Sequence, residues 1–186
     1  MATMRINYSI TFLSDWHAGS GLSSGADADS VVIKDSSNLP YLPGKTIKGL
    51  LKDVFTDFAE VQTESFPKDF IKINFGEYDK ENKISDMGSL FFSNAALNSN
   101  EQEAITKEMS EFLYYNIAST TIDNGVAKVG SLRTMQVCVP VILEGHIDGV
   151  NDNETTYFEQ AFKYLRHLGS NRNRGLGRCK FEIKTN

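Results

Sequence analysis

The chain has 186 residues, 40% hydrophobic and 23% charged, with a formal net charge of −5. That length suits one domain with a real core, and the balance excludes a disordered chain. No apolar run approaches the roughly 18 residues of a membrane span, the first residues lack the apolar core of a secretory signal, and the acidity argues against a general nucleic-acid coat protein while leaving room for a local binding groove.

Residues 4–13 alternate, with Met4, Ile6, Tyr8, Ile10 and Phe12 on one face of a half-buried strand. Residues 14–44 are rich in Gly, Ser, Asp and Pro around one short apolar run, Val31–Ile33, and a loop of that length implies function. From Gly44, the spacing of Ile47, Leu50, Leu51, Val54, Phe55 and Phe58 predicts a helix with one buried stripe. Lys45, Lys48 and Lys52 share another face. Two of them stand in the first turns, where the helix dipole favours acids, so an anion beside free N–H groups is expected, with solvated lysines as the alternative.

Residues 60–86 read as an irregular, mobile insertion. A strand over Met87–Ala96, a short helix near 100–110 and a strand over Phe112–Ile122 follow, and Asn124-Gly125 carries hairpin chemistry. Met135, Val137, Val139, Val141 and Leu143 predict one strand running to about Ile147. Phe158, Ala161, Phe162, Leu165 and Leu168 predict a helix stopped by Gly169, and residues 178–184 a closing strand. Cys138 and Cys179, the only cysteines, lie inside strand-like runs, as expected of reduced thiols in a cytoplasmic protein, with a disulfide left open. The order is that of an α+β, ferredoxin-like βαββαβ fold with loop insertions, expected to form a single domain over 1–186.

The segment Gly169–Arg178 holds three glycines and three arginines. From Lys163 to Lys184 there are seven Lys/Arg against the single Glu182, about +6 locally, which leaves −11 for the rest of the chain. Glycine backbone and arginine forks suit a phosphate backbone, although a solvated helix C-terminus and turn would also use them. Asp27 and Asp29 place two carboxylates on a glycine-rich loop near Asp35, where they could hold a hydrated Mg²⁺ or serve as ordinary turn residues. His17, in a glycine-flanked loop, is a candidate acid–base group or a structural hydrogen-bonder. Gly44-Lys45-Thr46 matches only the end of a phosphate-binding loop: Leu39 replaces the first glycine, and Pro40 and Pro43 remove donors, so NTP binding is an outside reading.

Taken together, four segments resemble the RAMP superfamily of CRISPR-associated RNA-binding proteins, most closely the backbone subunit (seventh Cas family) of type III interference complexes. They are the glycine loop into Asp29–Asp35 and Leu39–Lys52; Phe75-Gly76 with Gly88–Ala95; Ile122–Arg133 through Val139-Pro140; and Gly169–Arg178. The resemblance implies an RNA-holding palm. Lys45, Lys48 and Lys52 would contact guide-RNA phosphates with Arg172, Arg174, Gly175, Gly177 and Arg178, joined by Arg133 and His17, and residues of about 123–134 would form a thumb. In cleaving members one loop aspartate promotes Mg²⁺-dependent cutting of paired target RNA by its own 2′-hydroxyl. The register gives that role, and the metal, to Asp29, with Asp27 as fallback.

Departures from the pattern include Lys45-Thr46 in place of the usual Ser-Ser, Lys52 in place of Arg, and a short chain. The expected function is therefore guide-RNA binding in a type III or type III-like complex for antiviral defence, with target cleavage as an enzyme activity left open. The expected partners are guide RNA, complementary target RNA, other CRISPR-associated subunits and further copies of the chain, with no membrane. The alternatives are a non-catalytic structural subunit and a metal-independent guide-processing endoribonuclease using His17.

Overall fold

The computed structural model describes residues 3–23, 28–61, 66–67, 69–79 and 84–184. In chain order, β1 is Thr3–Phe12, β2 Tyr41–Leu42, α1 Gly44–Val61, α2 Phe70–Phe75, β3 Gly76–Asp79, β4 Ile84–Met87, β5 Phe91–Phe92 and β6 Ala95–Ala96. Then come α3 Ser99–Ala104, α4 Lys107–Ser110, β7 Tyr114–Ser119, β8 Ile122–Asp123, β9 Val126–Ala127, β10 Arg133–Cys138, β11 Ile142–Asn151, α5 Thr155–Tyr164 and β12 Cys179–Ile183.

The main sheet runs β12-β1-β11-β6-β2, with β5 also on β11, and its described pairings are antiparallel. Counting β1, the β5/β6 pair, β11 and β12 as first to fourth, with α1 and α5 as the crossing helices, gives the 4-1-3-2 order of a ferredoxin-like fold. Among the described residues no helix is long and apolar enough to cross a membrane.

Alternation in β1 sends Ile6, Tyr8, Ile10 and Phe12 into the core. The register shifts between Met4 and Arg5, which leaves Met4 exposed outside the predicted stripe. Tyr8 stands opposite Gly145, where a β-carbon would lie 2.6 Å from the Tyr8 hydroxyl, so the missing side chain makes room for the ring. The opposite face of the sheet is polar: Arg5 grips Asp148 with two hydrogen bonds of 2.6 and 2.8 Å, and Lys184 pairs with Glu144.

Under the sheet, α1 buries Ile47, Leu51, Val54 and Phe55. Phe55 is the hub of an aromatic cluster, 4.9 Å from Phe70, 5.2 Å from Phe158 and 5.6 Å from Phe75. Each such buried ring stabilises the fold by roughly 1.5–3 kcal/mol.

Several predicted boundaries move. The stretch read as an irregular insertion at 60–86 contributes Phe66, Phe70 and Phe75 to the core, and forms α2 and the β3/β4 hairpin. The strand predicted over Met87–Ala96 splits into β5 and β6, because Ser93 and Asn94 turn their side chains to backbone elsewhere. Ser93 Oγ accepts from His146 N–H at 2.8 Å, and Asn94 Oδ1 from Gly44 N–H at 2.9 Å.

The single strand predicted from Met135 to Ile147 breaks around Pro140, which has no N–H. Before the break β10 pairs with β7; after it β11 pairs with β1. The last helix ends at Tyr164, not Gly169. Leu165 is extended, and the carbonyl of Arg166 accepts from Cys179 N–H at 2.9 Å, so the chain pairs with the start of β12. Both cysteines are free and buried.

Candidate RNA-binding cleft

Three segments far apart in sequence meet at one cleft of about 530 Å³, whose lining includes Asp29, Arg133 and Arg174. The first is the loop after β1. Asp29 N–H donates to Thr134 O at 2.8 Å, Thr134 N–H donates to Asp29 Oδ2 at 2.8 Å, and Gln136 N–H donates to Ser30 O at 2.9 Å. The aspartate loop is thus laid along β10 as a short extra strand, which fixes one carboxylate oxygen of the exposed Asp29. Its other oxygen accepts no hydrogen bond from a described residue.

The second segment is the β7/β10 ribbon. It projects from its base at Tyr114 and Cys138 to the β8/β9 tip, where Asn124 and Gly125 have φ of 50° and 82°, as a tight hairpin turn demands. Ile122, Val126, Val129 and Leu132 are exposed on it, Val129 to 98%. The protruding element is longer than the predicted 123–134.

Its base is anchored. Trp16 is fully buried and donates Nε1–H to Val139 O at 3.2 Å, and the Tyr115 hydroxyl donates to Asp15. Lys34 lies over the Tyr114 ring at 3.8 Å, and burial draws its ammonium below the ordinary lysine range.

The third segment is the glycine loop. Leu168 N–H donates to Gly177 O, and Gly177 N–H to Asp15 O, both at 2.8 Å. A β-carbon on Gly177 would meet Leu168 O at 1.9 Å, and one on Gly169 would meet His17 O at 2.3 Å, so both ends of the loop need glycine for close approach. Gly175, at φ 90° with open space around it, serves the turn alone. Asn171, at φ 55°, accepts from Arg174 N–H at 2.7 Å and sets the arm of Arg174.

His17 lies beneath all three segments and is 1% exposed. Its Nδ1 is 2.6 Å from Gln136 O, a carbonyl that only accepts, so Nδ1 carries a proton and donates it, while Nε2 shares a hydrogen bond of 2.9 Å with Ser30 Oγ. Its carbonyl accepts from Ser170 N–H at 2.9 Å. The sequence left His17 open between RNA contact or acid–base work and a structural hydrogen-bonding role. Burial and full occupancy of the ring make it the residue that ties the aspartate loop, the ribbon and the glycine loop together.

The remaining expected contacts separate. Arg172 lines a different groove, with Asp53, Asp57, Arg166 and His167. Arg178 is exposed, with its backbone N–H on Ser14 Oγ at 3.0 Å. Lys45, Lys48 and Lys52 lie on α1 and do not line the Asp29 cleft. Lys52 donates to Gly76 O at 2.8 Å, which commits it to the fold. The anion pocket expected at the start of α1 is largely filled by the protein. Gly44 N–H goes to Asn94, Thr46 and Ile47 N–H turn to Pro43 O, and a Gly44 β-carbon would lie 2.1 Å from Phe92 O. Asp27 lies outside the described residues.

Among the described residues no cluster of three His, Cys, Asp or Glu side chains could hold a metal. Asp29 with one unengaged oxygen fits Mg²⁺ only in the mode where one carboxylate and substrate phosphates share the ion. Sequence reasoning missed Ser30, Thr134 and Gln136: in the 134–137 stretch only the apolar Met135 and Val137 gave a signal, that of a strand, and Ser30 lay unmarked in the loop after β1.

The family model described as RAMP superfamily matches residues 9–180. The chain belongs to the RAMP superfamily. Comparison with curated protein sequences finds no match. Among solved structures, this RAMP resembles a chain of the type III-B Cmr-beta complex bound to cognate target RNA, at 13% identity and a TM-score of 0.74, covering 97% of each chain. It also resembles a chain of type III-B Cmr-beta in the apo state, at 12% identity and a TM-score of 0.72, covering 98% of each. At such identities the likeness is one of fold, and it agrees with the ferredoxin-like strand order.

Proposed function

We propose that this RAMP protein is a guide-RNA-binding subunit of a type III CRISPR interference complex, and that it cuts paired target RNA at Asp29. One observation carries the reading: a loop carboxylate, a ribbon arginine and a glycine-loop arginine converge on one cleft. The family match and the fold shared with type III-B complex chains, one of them solved with target RNA, support the assignment.

Asp29 is the residue that would hold Mg²⁺, together with RNA oxygens, and the ion would supply charge stabilisation at the phosphate. The chain's own work is geometric. Thr134 N–H orients the Asp29 carboxylate, which takes the proton of the attacking 2′-hydroxyl, and the β7/β10 ribbon displaces a base so that attack can be in line. The exposed apolar side chains of the ribbon suit that wedge. Lys45 and Lys48, which make no ion pair with a described residue, are the guide-phosphate contacts of α1, and binding through them is salt-sensitive. Processing by His17 is disfavoured, since a buried ring with both nitrogens engaged cannot reach RNA.

The test is the complex assembled with guide, Mg²⁺ and matched target RNA. Cleavage should be lost in Asp29→Ala with guide content unchanged. Full cutting by an Asp29→Ala, Asp27→Ala double variant refutes the catalytic claim, and a purified complex lacking a defined short guide RNA refutes the binding claim.

A further inference from the structure

We infer that Arg133 and Arg174 form a clamp on the target-strand phosphate that is cut, rather than on the guide. The inference rests on the cleavage reading above. Its starting point is charge: among the cleft-lining residues, one carboxylate, Asp29, faces two guanidinium groups. Neither arginine pairs with Asp29 or with any other described carboxylate within 4.0 Å, whereas Arg5 closes fully on Asp148.

The separation is built into the backbone. Arg133 is fixed by β10 opposite Ser119, and Arg174 by its turn onto Asn171. Two permanently charged forks line one cleft of about 530 Å³ with no described carboxylate closed on either, which leaves room there for an anion. Seven of the other lining residues carry hydroxyl groups, and Met135 is the only large apolar one, so the cleft suits a sugar–phosphate linkage better than a base.

In the reaction the 2′-oxygen forms a bond to phosphorus as its proton passes to Asp29. The bond from phosphorus to the 5′-oxygen breaks, and that oxygen takes a proton from water. The products are a 2′,3′-cyclic phosphate and a 5′-hydroxyl. Negative charge on the non-bridging oxygens rises as the fifth bond forms, so a guanidinium on each stabilises the transition state more than the ground state. Arg133 and Arg174 come from different segments, so the clamp exists only when ribbon and glycine loop are both docked on the aspartate loop.

The test uses the assembled complex with Arg133→Ala, Arg174→Ala and the double variant. Each single change should lower the single-turnover cleavage rate by roughly 10²–10³-fold, as removal of a transition-state donor does, with guide content unchanged. Wild-type cleavage, or guide loss in step with the rate, overturns the clamp. If the unsubstituted complex does not cut, the cleavage reading fails, and the clamp is decided by binding targets that carry one uncharged methylphosphonate each. A single linkage whose neutralisation weakens binding to the unsubstituted complex but not to the double variant supports it. The absence of such a linkage overturns it.

Discussion

Replacing His17 by alanine removes a buried side chain that bonds both the aspartate loop and the ribbon. Gln136 O loses the Nδ1–H donor at 2.6 Å, and Ser30 Oγ loses its ring partner at 2.9 Å, in a place where His17 is 1% exposed. A buried carbonyl left unpaired costs about 1–3 kcal/mol. The half-buried serine can turn toward water, and the vacated ring volume adds a cavity term. Together these come to roughly 3–4 kcal/mol, or a fall in Tm of about 6–16 °C for a chain of this size.

Urea and thermal melts of three variants separate the causes. His17→Asn places an amide N–H near the Nδ1 position and should recover about 1 kcal/mol over alanine, while His17→Leu restores volume without the bonds and should not match it. If alanine stays within about 0.5 kcal/mol of the parent, or leucine restores stability fully, the hydrogen-bonded hub is refuted.

Gly177→Ala and Gly175→Ala should differ sharply although both have positive φ: about 1–2 kcal/mol for Gly175, in open space, and at least about 3 for Gly177, whose β-carbon would strike Leu168 O; equal losses in a denaturant melt would contradict the pinned loop. Burial pushes the thiols of Cys138 and Cys179 up to about 12 from their usual 9. The folded state therefore holds their protons longer, and this stability is complete below pH 9 and lost as pH rises toward 12. At pH 10 the loss is roughly 1.4 kcal/mol per thiol. The urea midpoint should fall between pH 8 and 10, and fall less in the Cys138→Ala, Cys179→Ala variant; an unchanged fall counts against this. Tyr8 and Tyr114, also raised by burial, add to the loss only above pH 10. Lys52→Met should lower Tm with little change in the salt slope of RNA binding, whereas Lys45→Met with Lys48→Met should flatten that slope by one to two at nearly constant Tm. The opposite pattern would assign the lysines the other way round.

Much of the fold was legible because β1, α1, α5 and β12 announce themselves by local periodicity. The errors share a cause. Pro140 is a local sign of the break, but the apolar alternation runs on across it, so the stretch reads as one strand and does not show that β10 and β11 join different sheets. Leu165 and Leu168 keep helical spacing, yet the pairing of residues 166–168 with 177–179 extends the backbone there. Residues 66–75 look irregular because the partners of Phe66, Phe70 and Phe75 lie on α1 and α5.

The candidate site was half legible. Asp29, Arg133 and Arg174 carry chemistry in their side chains and could be marked one by one. That they share a cleft, while Arg172 and the α1 lysines lie elsewhere, depends on backbone pairings such as Asp29 with Thr134 across a hundred residues. Thr134, Gln136 and Asn94 act by satisfying backbone groups far away in sequence, and residue type alone gives no sign of that.

The pinning of the glycine loop also bears on the order of events during synthesis. β1 and β11 can pair as soon as residue 151 has left the ribosome. The loop carrying Arg174 cannot take its shape until Gly177 and Cys179 arrive to close on Leu168 and Arg166. Sheet formation and completion of the arginine cleft are thus separated in time, because contacts of long sequence separation form late. A nascent chain would carry the β1/β11 pair of the sheet before the cleft lined by Arg174 exists.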